Sequence, residues 1–145
     1  MPTTPDFAHG KDTYISVNGK DISAFCNSSE FGRKAQTHNV TMYGSPAYAD
    51  GRKAGQFKGG IVDAEGKCSG VYDKTVTTGT RAVFADLVGK NVPLIRRPEG
   101  TGTGRPEESV EIVVTDYTET NPVADMVAWS CDFQCSGVVA VTTQA

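Results

Sequence analysis

The side chains in this 145-residue chain with the means to do chemistry are four cysteines, two histidines and a scatter of carboxylates. Cys26, Cys68, Cys131 and Cys135 form an even set, which in an exported chain would read as a disulfide framework. Cys131 and Cys135, however, fall within one alternating run, where four residues of extended chain separate them by roughly 13 Å. A disulfide spans about 7 Å between Cα atoms at most. No C-x-x-C occurs, and His9 and His38 stand far apart, so the spacing offers no zinc site. The cysteines read as small buried hydrophobes.

Nucleophilic catalysis finds no support either. There is no G-x-S-x-G, and neither histidine lies near a motif that would recruit a serine or cysteine. Gly60 to Cys68 departs from a phosphate-binding loop, with five residues between its glycines and a cysteine where a hydroxyl is required. Gly100, Gly102 and Gly104 lack the third glycine of a dinucleotide fingerprint and precede a strand rather than a helix. Asn27-Ser28-Ser29 and Asn39-Val40-Thr41 match the glycosylation triplet, which carries meaning only in a secreted chain, and the N-terminus lacks the build of a signal peptide. Asp63, Glu65 and Asp116 are not brought together by any pattern, and the Arg96, Arg97 and Arg105 cluster is diluted by Glu99, Glu107 and Glu108. The expectation is a non-enzyme with no catalytic residue, cofactor or metal.

The composition narrows the class further. With 38% hydrophobic and 21% charged residues the chain is folded rather than disordered. With a formal net charge of −3, nothing suggests a protein that grips nucleic acid by neutralising phosphates. No apolar run reaches the roughly 18 residues of a membrane helix, so no membrane insertion is expected. The chain reads as made in the cytoplasm.

The elements that would position these side chains are mostly strands. Residues 1 to 12 form an arm without a core of its own, carrying Phe7 and His9, and residues 13 to 145 form one domain. Asn18-Gly19 between two short apolar runs is a hairpin signal, because both central residues of a type I′ turn need positive φ. A strand is expected at Gln36 to Tyr43, then a polar excursion with Tyr43, Tyr48, Arg52 and Lys53, then a strand from Phe57 to Ala64. Aromatic residues and arginine in that mixture favour an interface over a solvated loop, though composition leaves both open. Thr80 to Val88 has helical spacing, with Phe84 and Leu87 on the apolar stripe and Gly89 at the C-cap.

Strands follow at Val92 to Arg96 and Ser109 to Asp116, the latter burying Val110 and Ile112. In the final run Val127, Trp129, Cys131, Phe133 and Cys135 share one face, while Ser130, Asp132 and Gln134 share the other.

The order of these pieces resembles the major tail tube protein of long-tailed bacteriophages. The likeness rests on Val17-Asn18-Gly19-Lys20-Asp21-Ile22-Ser23, on Phe84-Ala85-Asp86-Leu87-Val88-Gly89, and on Pro122 through Trp129 and Phe133 through Gly137. It implies a mainly β, sandwich- or barrel-like domain with one short flanking helix, whose strands join a shared ring barrel on oligomerisation. It also implies stacked hexameric rings forming a conduit for genome ejection in a virion tail. Double-stranded DNA would pass without specific binding, past a lumen lined by Ser130, Asp132 and Gln134. The implied partners are other copies of the chain, a tape-measure protein, a tail terminator and a tail-tip initiator. Phe7, His9, Tyr43, Tyr48, Arg52, Lys53 and Phe57 would meet neighbouring subunits. A docking or decoration module of a virion, and a tube subunit of a type VI or contractile injection system, are the alternatives.

Overall fold

The structure is a computed structural model that describes residues 4–76 and 79–145. Its organising element is a seven-stranded antiparallel sheet in the order β2-β1-β5-β6-β7-β4-β3. The strands are β1 (Tyr14–Val17), β2 (Lys20–Asp21), β3 (Cys26–Asn39), β4 (Phe57–Val71), β5 (Asn91–Arg97), β6 (Pro106–Thr120) and β7 (Ala128–Thr143), with one helix, α1 (Thr80–Phe84). The expected mainly β architecture with a single short helix is what forms.

Local chemistry accounts for the connections. Asn18 and Gly19 take φ of 54° and 76°, so the β1–β2 turn has the left-handed pair that Asn-Gly tolerates. The helix is shorter than its spacing predicts, ending at Phe84 rather than Val88. Its continuation is captured by the sheet. Gly89 N–H donates to the Val114 carbonyl at 2.8 Å and Val88 makes a parallel bridge to Val114, which draws the chain out of helical geometry.

The largest departure from expectation is β3. It runs from Cys26 to Asn39 instead of Gln36 to Tyr43, and β4 extends to Val71 rather than Ala64. In β3 only Phe31 and Ala35 interrupt a polar series after Cys26, so no alternating apolar signal exists to announce a strand. Its pairing with β4, from Cys26↔Gly70 to Asn39↔Phe57, supplies what propensity does not.

The sheet is open but curled. Phe31 of β3 lies 6.4 Å from the Phe133 ring, Arg96 of β5 stacks over Phe31 at 5.7 Å, and Arg33 pairs with Glu108 of β6 at 2.7 Å. Strands far apart in sheet order thus meet across an interior. That interior is filled by Ile15, Val17, Ile22, Leu94, Val110, Ile112, Val114, Trp129, Cys131 and Phe133, with Val83, Phe84 and Leu87 contributed by α1 and the turn after it. Phe84 stacks on Trp129 at 5.0 Å and on Tyr117 at 5.6 Å, so the helix serves as a plug over the β6–β7 face. Val127 sits just outside β7 and is half-buried, separate from this cluster.

Burial of these groups has a pH signature. Burial pushes the Cys131 thiol up to about 12 and the Cys135 thiol to about 11. Burial, with the hydrogen bond to Glu119, raises the Tyr117 hydroxyl as well. Each acid is neutral in the fold and ionises earlier in the unfolded chain, so the unfolded state sheds protons first as pH rises. The contribution of these three groups to stability is therefore full below the ordinary thiol value of 9.0 and is expected to fall between there and pH 12. Chemical denaturation at stepped alkaline pH reads this directly. A midpoint that stays flat across that window contradicts it.

Candidate assembly surfaces

The β6–β7 and β3–β4 pairs are long, and they part company half-way along. β4 pairs with β7 only between Glu65↔Gln134 and Val71↔Ala128. Beyond that fork, β3 and β4 continue as a two-stranded ribbon from Arg33↔Ala64 to Asn39↔Phe57, while the far half of β7 runs on beside β6 to Pro106↔Thr143. Among the described residues, long edges without a strand partner run along the outer side of β3, the fork side of β4 and the fork side of β7, besides the short outer edge of β2. An unpaired edge of this length is a template for another strand.

The side chains along these edges are those of an interface. On the β4 ribbon Phe57, Ile61 and Val62 are each more than half exposed, as are Val138 and Val141 on the β7 extension. Ile61 and Val62 are adjacent, so apolar groups stand on both faces of the ribbon. Isolated apolar residues on a surface are ordinary, but several beside open backbone edges make these edges candidate contact surfaces. Ile61, Val62, Val138 and Val141 were not among the residues expected from sequence to meet a neighbour. Their signal was present as apolar pairs and repeats within strands that have no second layer to cover them.

The excursion between β3 and β4 is ordered. Lys53 Nζ donates to the carbonyls of Tyr43 and Ser45, Ser45 is buried and its hydroxyl donates to Gln56 Oε1 at 2.9 Å, and Ala47 bridges Lys53. Arg52 is held by Asp50 at 2.6 Å and lies 5.3 Å over the Tyr48 ring. Lys53 and Arg52 make these contacts while remaining exposed, and the loop presents Met42, Tyr43 and Tyr48 outward as well. In the arm, His9 Nδ1 accepts from Lys11 N–H at 3.0 Å at the head of a 3-10 turn over Gly10–Asp12, and Phe7 is exposed beside it. The first three residues of the arm lie outside the described residues.

The polar face of the sheet is acidic. Strand alternation and register set Glu30, Asp63, Glu65, Glu107, Glu111, Asp116 and Asp132 of β3, β4, β6 and β7 on this face against Lys34 and Lys67, with Arg97 of β5 beside Glu107. Asp116 and Asp132 lie directly across from one another between β6 and β7. Among the described residues the charge there is offset by the Arg97–Glu107 pair at 2.8 Å, toward β5, and by the weak Lys67–Glu30 pair at 3.7 Å with both side chains exposed. Ser130 and Asp132 are exposed on this face, and Gln134 is half-buried, its amide donating to the Ala64 carbonyl at 2.9 Å at the fork. No group of three or more metal-ligating side chains occurs among the described residues.

No protein-family model matches the chain, and no curated protein does. Solved structures do. A chain of the virion of the native gene transfer agent (GTA) particle aligns with a TM-score of 0.72 at 17% identity, covering 94% of this chain and 100% of that one. The SPP1 tail tube aligns with a TM-score of 0.70 at 12% identity, over 94% of this chain and 80% of the other.

The chain has the tail-tube fold. The tail of the empty GTA particle, of C6 symmetry, aligns with a TM-score of 0.68 at 18% identity over 96% and 100% of the two chains. A chain of the sheath–tube complex of an extracellular contractile injection system, PVC, aligns at 0.65. Identities this low transfer architecture only.

Proposed function

We propose that this chain is a structural subunit that assembles side by side into hexameric rings, stacked into the tail tube of a bacteriophage-like particle and serving as the conduit for its genome. The observation that carries the reading is the fork. It leaves long antiparallel edges unpaired and apolar, and closing such edges around a ring removes every one of them. The C6 symmetry of a tail with the same fold fits that closure.

In this arrangement the β3–β4 ribbon and the β7 extension of adjacent subunits join edge to edge. Tyr43, Tyr48 and Phe57, with Phe7 and His9 of the arm, reach neighbouring subunits or rings. The acidic face, with Ser130, Asp132 and Gln134, lines the bore. DNA passes such a wall without being held, because like charges repel it and few cations are offered to its phosphates. The length of the tube, its cap and its tip call for a tape-measure protein, a terminator and an initiator as partners, with assembly in the host cytoplasm. A second reading, the tube of a contractile injection system, is favoured by the PVC likeness; both readings share the ring.

Negative-stain electron microscopy of the purified protein, alone and with a tail-tip initiator, tests the proposal. Rings or hollow tubes are expected. A particle that stays monomeric under both conditions overturns it.

The wall charge gives a further expected result. Asp132→Lys alters the bore by two charges per subunit, repeated around each ring, so variant tubes should retain double-stranded DNA at low salt and release it as salt rises. Wild-type tubes should not retain it. Equal retention by both places Asp132 elsewhere.

A further inference from the structure

Three of the four thiols lie in a row across the sheet. Cys68 of β4 stands directly opposite Cys131 of β7. Cys26, the first residue of β3, stands diagonally across from Cys68, because Cys26 faces Gly70, Ser29 faces Cys68, and the register shifts between Cys26 and Ser28. Gly70 makes the approach close: a Cβ there would collide with the Phe25 carbonyl. Cys26 and Cys68 are thus diagonal neighbours on the interior face of the β3–β4 pair, and the Cys26 thiol also donates to the Ser28 carbonyl at 3.3 Å.

Access separates the two. Cys68 is 2% exposed, whereas Cys26 is half-buried and lines a solvent-open cavity of about 410 Å³ whose walls include Lys11 and Arg96. Hydrogen bonding with the Cys68 side chain lowers the Cys26 thiol from its ordinary value, and the same neighbour with burial pushes Cys68 up. A thiolate at the mouth of a cavity with a thiol behind it is the arrangement of an attacking and a resolving cysteine.

We propose that Cys26 and Cys68 are a redox-active dithiol that closes to an intrachain disulfide on meeting a low-molecular-weight disulfide such as glutathione disulfide. The Cys26 thiolate attacks one glutathione sulfur; the Cys26–glutathione bond forms, the glutathione disulfide bond breaks, and one glutathione thiolate leaves and takes up a proton. Cys68 then gives its proton to solvent and its sulfur attacks the Cys26 sulfur, expelling the second glutathione. Two protein thiols are oxidised and one glutathione disulfide is reduced to two thiols. Cys131, buried and unable to reach the cavity, stays reduced. The bond pins the start of β3 to β4, beside the Phe25 carbonyl that accepts the Trp129 indole N–H at 3.1 Å. A subunit made under reducing conditions would thereby stiffen once its particle reaches an oxidising medium.

The test is to treat the reduced full-length protein with glutathione disulfide, count free thiols and map the bridges by non-reducing peptide mass spectrometry. The expected result is loss of two of the four thiols, with the Cys26 and Cys68 peptides joined. Cys26→Ser should keep its remaining thiols reduced under the same treatment, and Cys135→Ser should behave as wild type. Four surviving thiols, a glutathione adduct on Cys26 that never resolves, or a bridge through Cys131 or Cys135 would each overturn the proposal.

Discussion

Ile61→Lys combined with Val138→Lys is expected to abolish tube formation while leaving the subunit folded. Both side chains are largely exposed in the subunit, at 66% and 89%, so replacing them costs the isolated fold about 0.5 kcal/mol or less each. In the proposed ring the same positions would be buried, one on each arm of the fork. An ammonium forced into a desolvated strand interface without a partner costs several kcal/mol, and the penalty recurs at every contact of a closed ring. Lysine on an edge is also the device by which natural sheets refuse new strands. Thermal unfolding close to that of wild type, together with a monomeric mass and empty grids, is the expected outcome. Wild-type tubes from the double variant would show that the fork edges are not the assembly contacts.

The second large effect lies in the core. Trp129→Ala should destabilise the subunit by about 3–5 kcal/mol, against a total of about 5–15 kcal/mol for a domain. The indole is 2% exposed, stacks on Phe84, meets Phe25 edge-on at 5.8 Å and donates to the Phe25 carbonyl. Removing it takes away the surface on which the helix plug rests and leaves the Phe25 carbonyl unpaired. Trp129→Phe separates these contributions: it keeps a ring for Phe84 and loses the indole donor, for a cost of about 1–3 kcal/mol. Denaturant titration of the two variants reads the difference. A Trp129→Ala loss of under about 1 kcal/mol would mean that the plug does not depend on this side chain.

What was legible in the sequence follows the physics of each element. The Asn18-Gly19 hairpin and the alternation of β6 and β7 are local signals, written by positive φ and by one face buried and one not, and the structure contains them. The helix was visible in its stripe of Val83, Phe84 and Leu87, but its end was not, because the backbone bond from Gly89 to Val114 is a long-range contact. β3 was misplaced because a ribbon with solvent on both faces has no apolar period to read; its strand character comes from pairing with β4.

The assembly surface was legible in part. The aromatic residues of the excursion stand exposed, and Arg52 and Lys53 are exposed too while also bonding within the loop. Ile61, Val62, Val138 and Val141 required the fork to be seen, since an apolar strand residue reads as core until the layer that should cover it is found missing. The acidic face needed the register of four strands, which places Glu30, Glu65, Asp116 and Asp132 side by side from positions scattered over much of the chain.

The central claim is that the open edges at the fork close between subunits around a bore walled by the acidic face. Cryo-electron microscopy of the assembled protein tests it most directly. The account predicts sixfold rings in which the β3–β4 ribbon and the β7 extension of adjacent subunits form a continuous sheet, with Asp132 facing the lumen. Rings joined through the helix side, with the fork edges left in solvent or Asp132 on the outer wall, would contradict it.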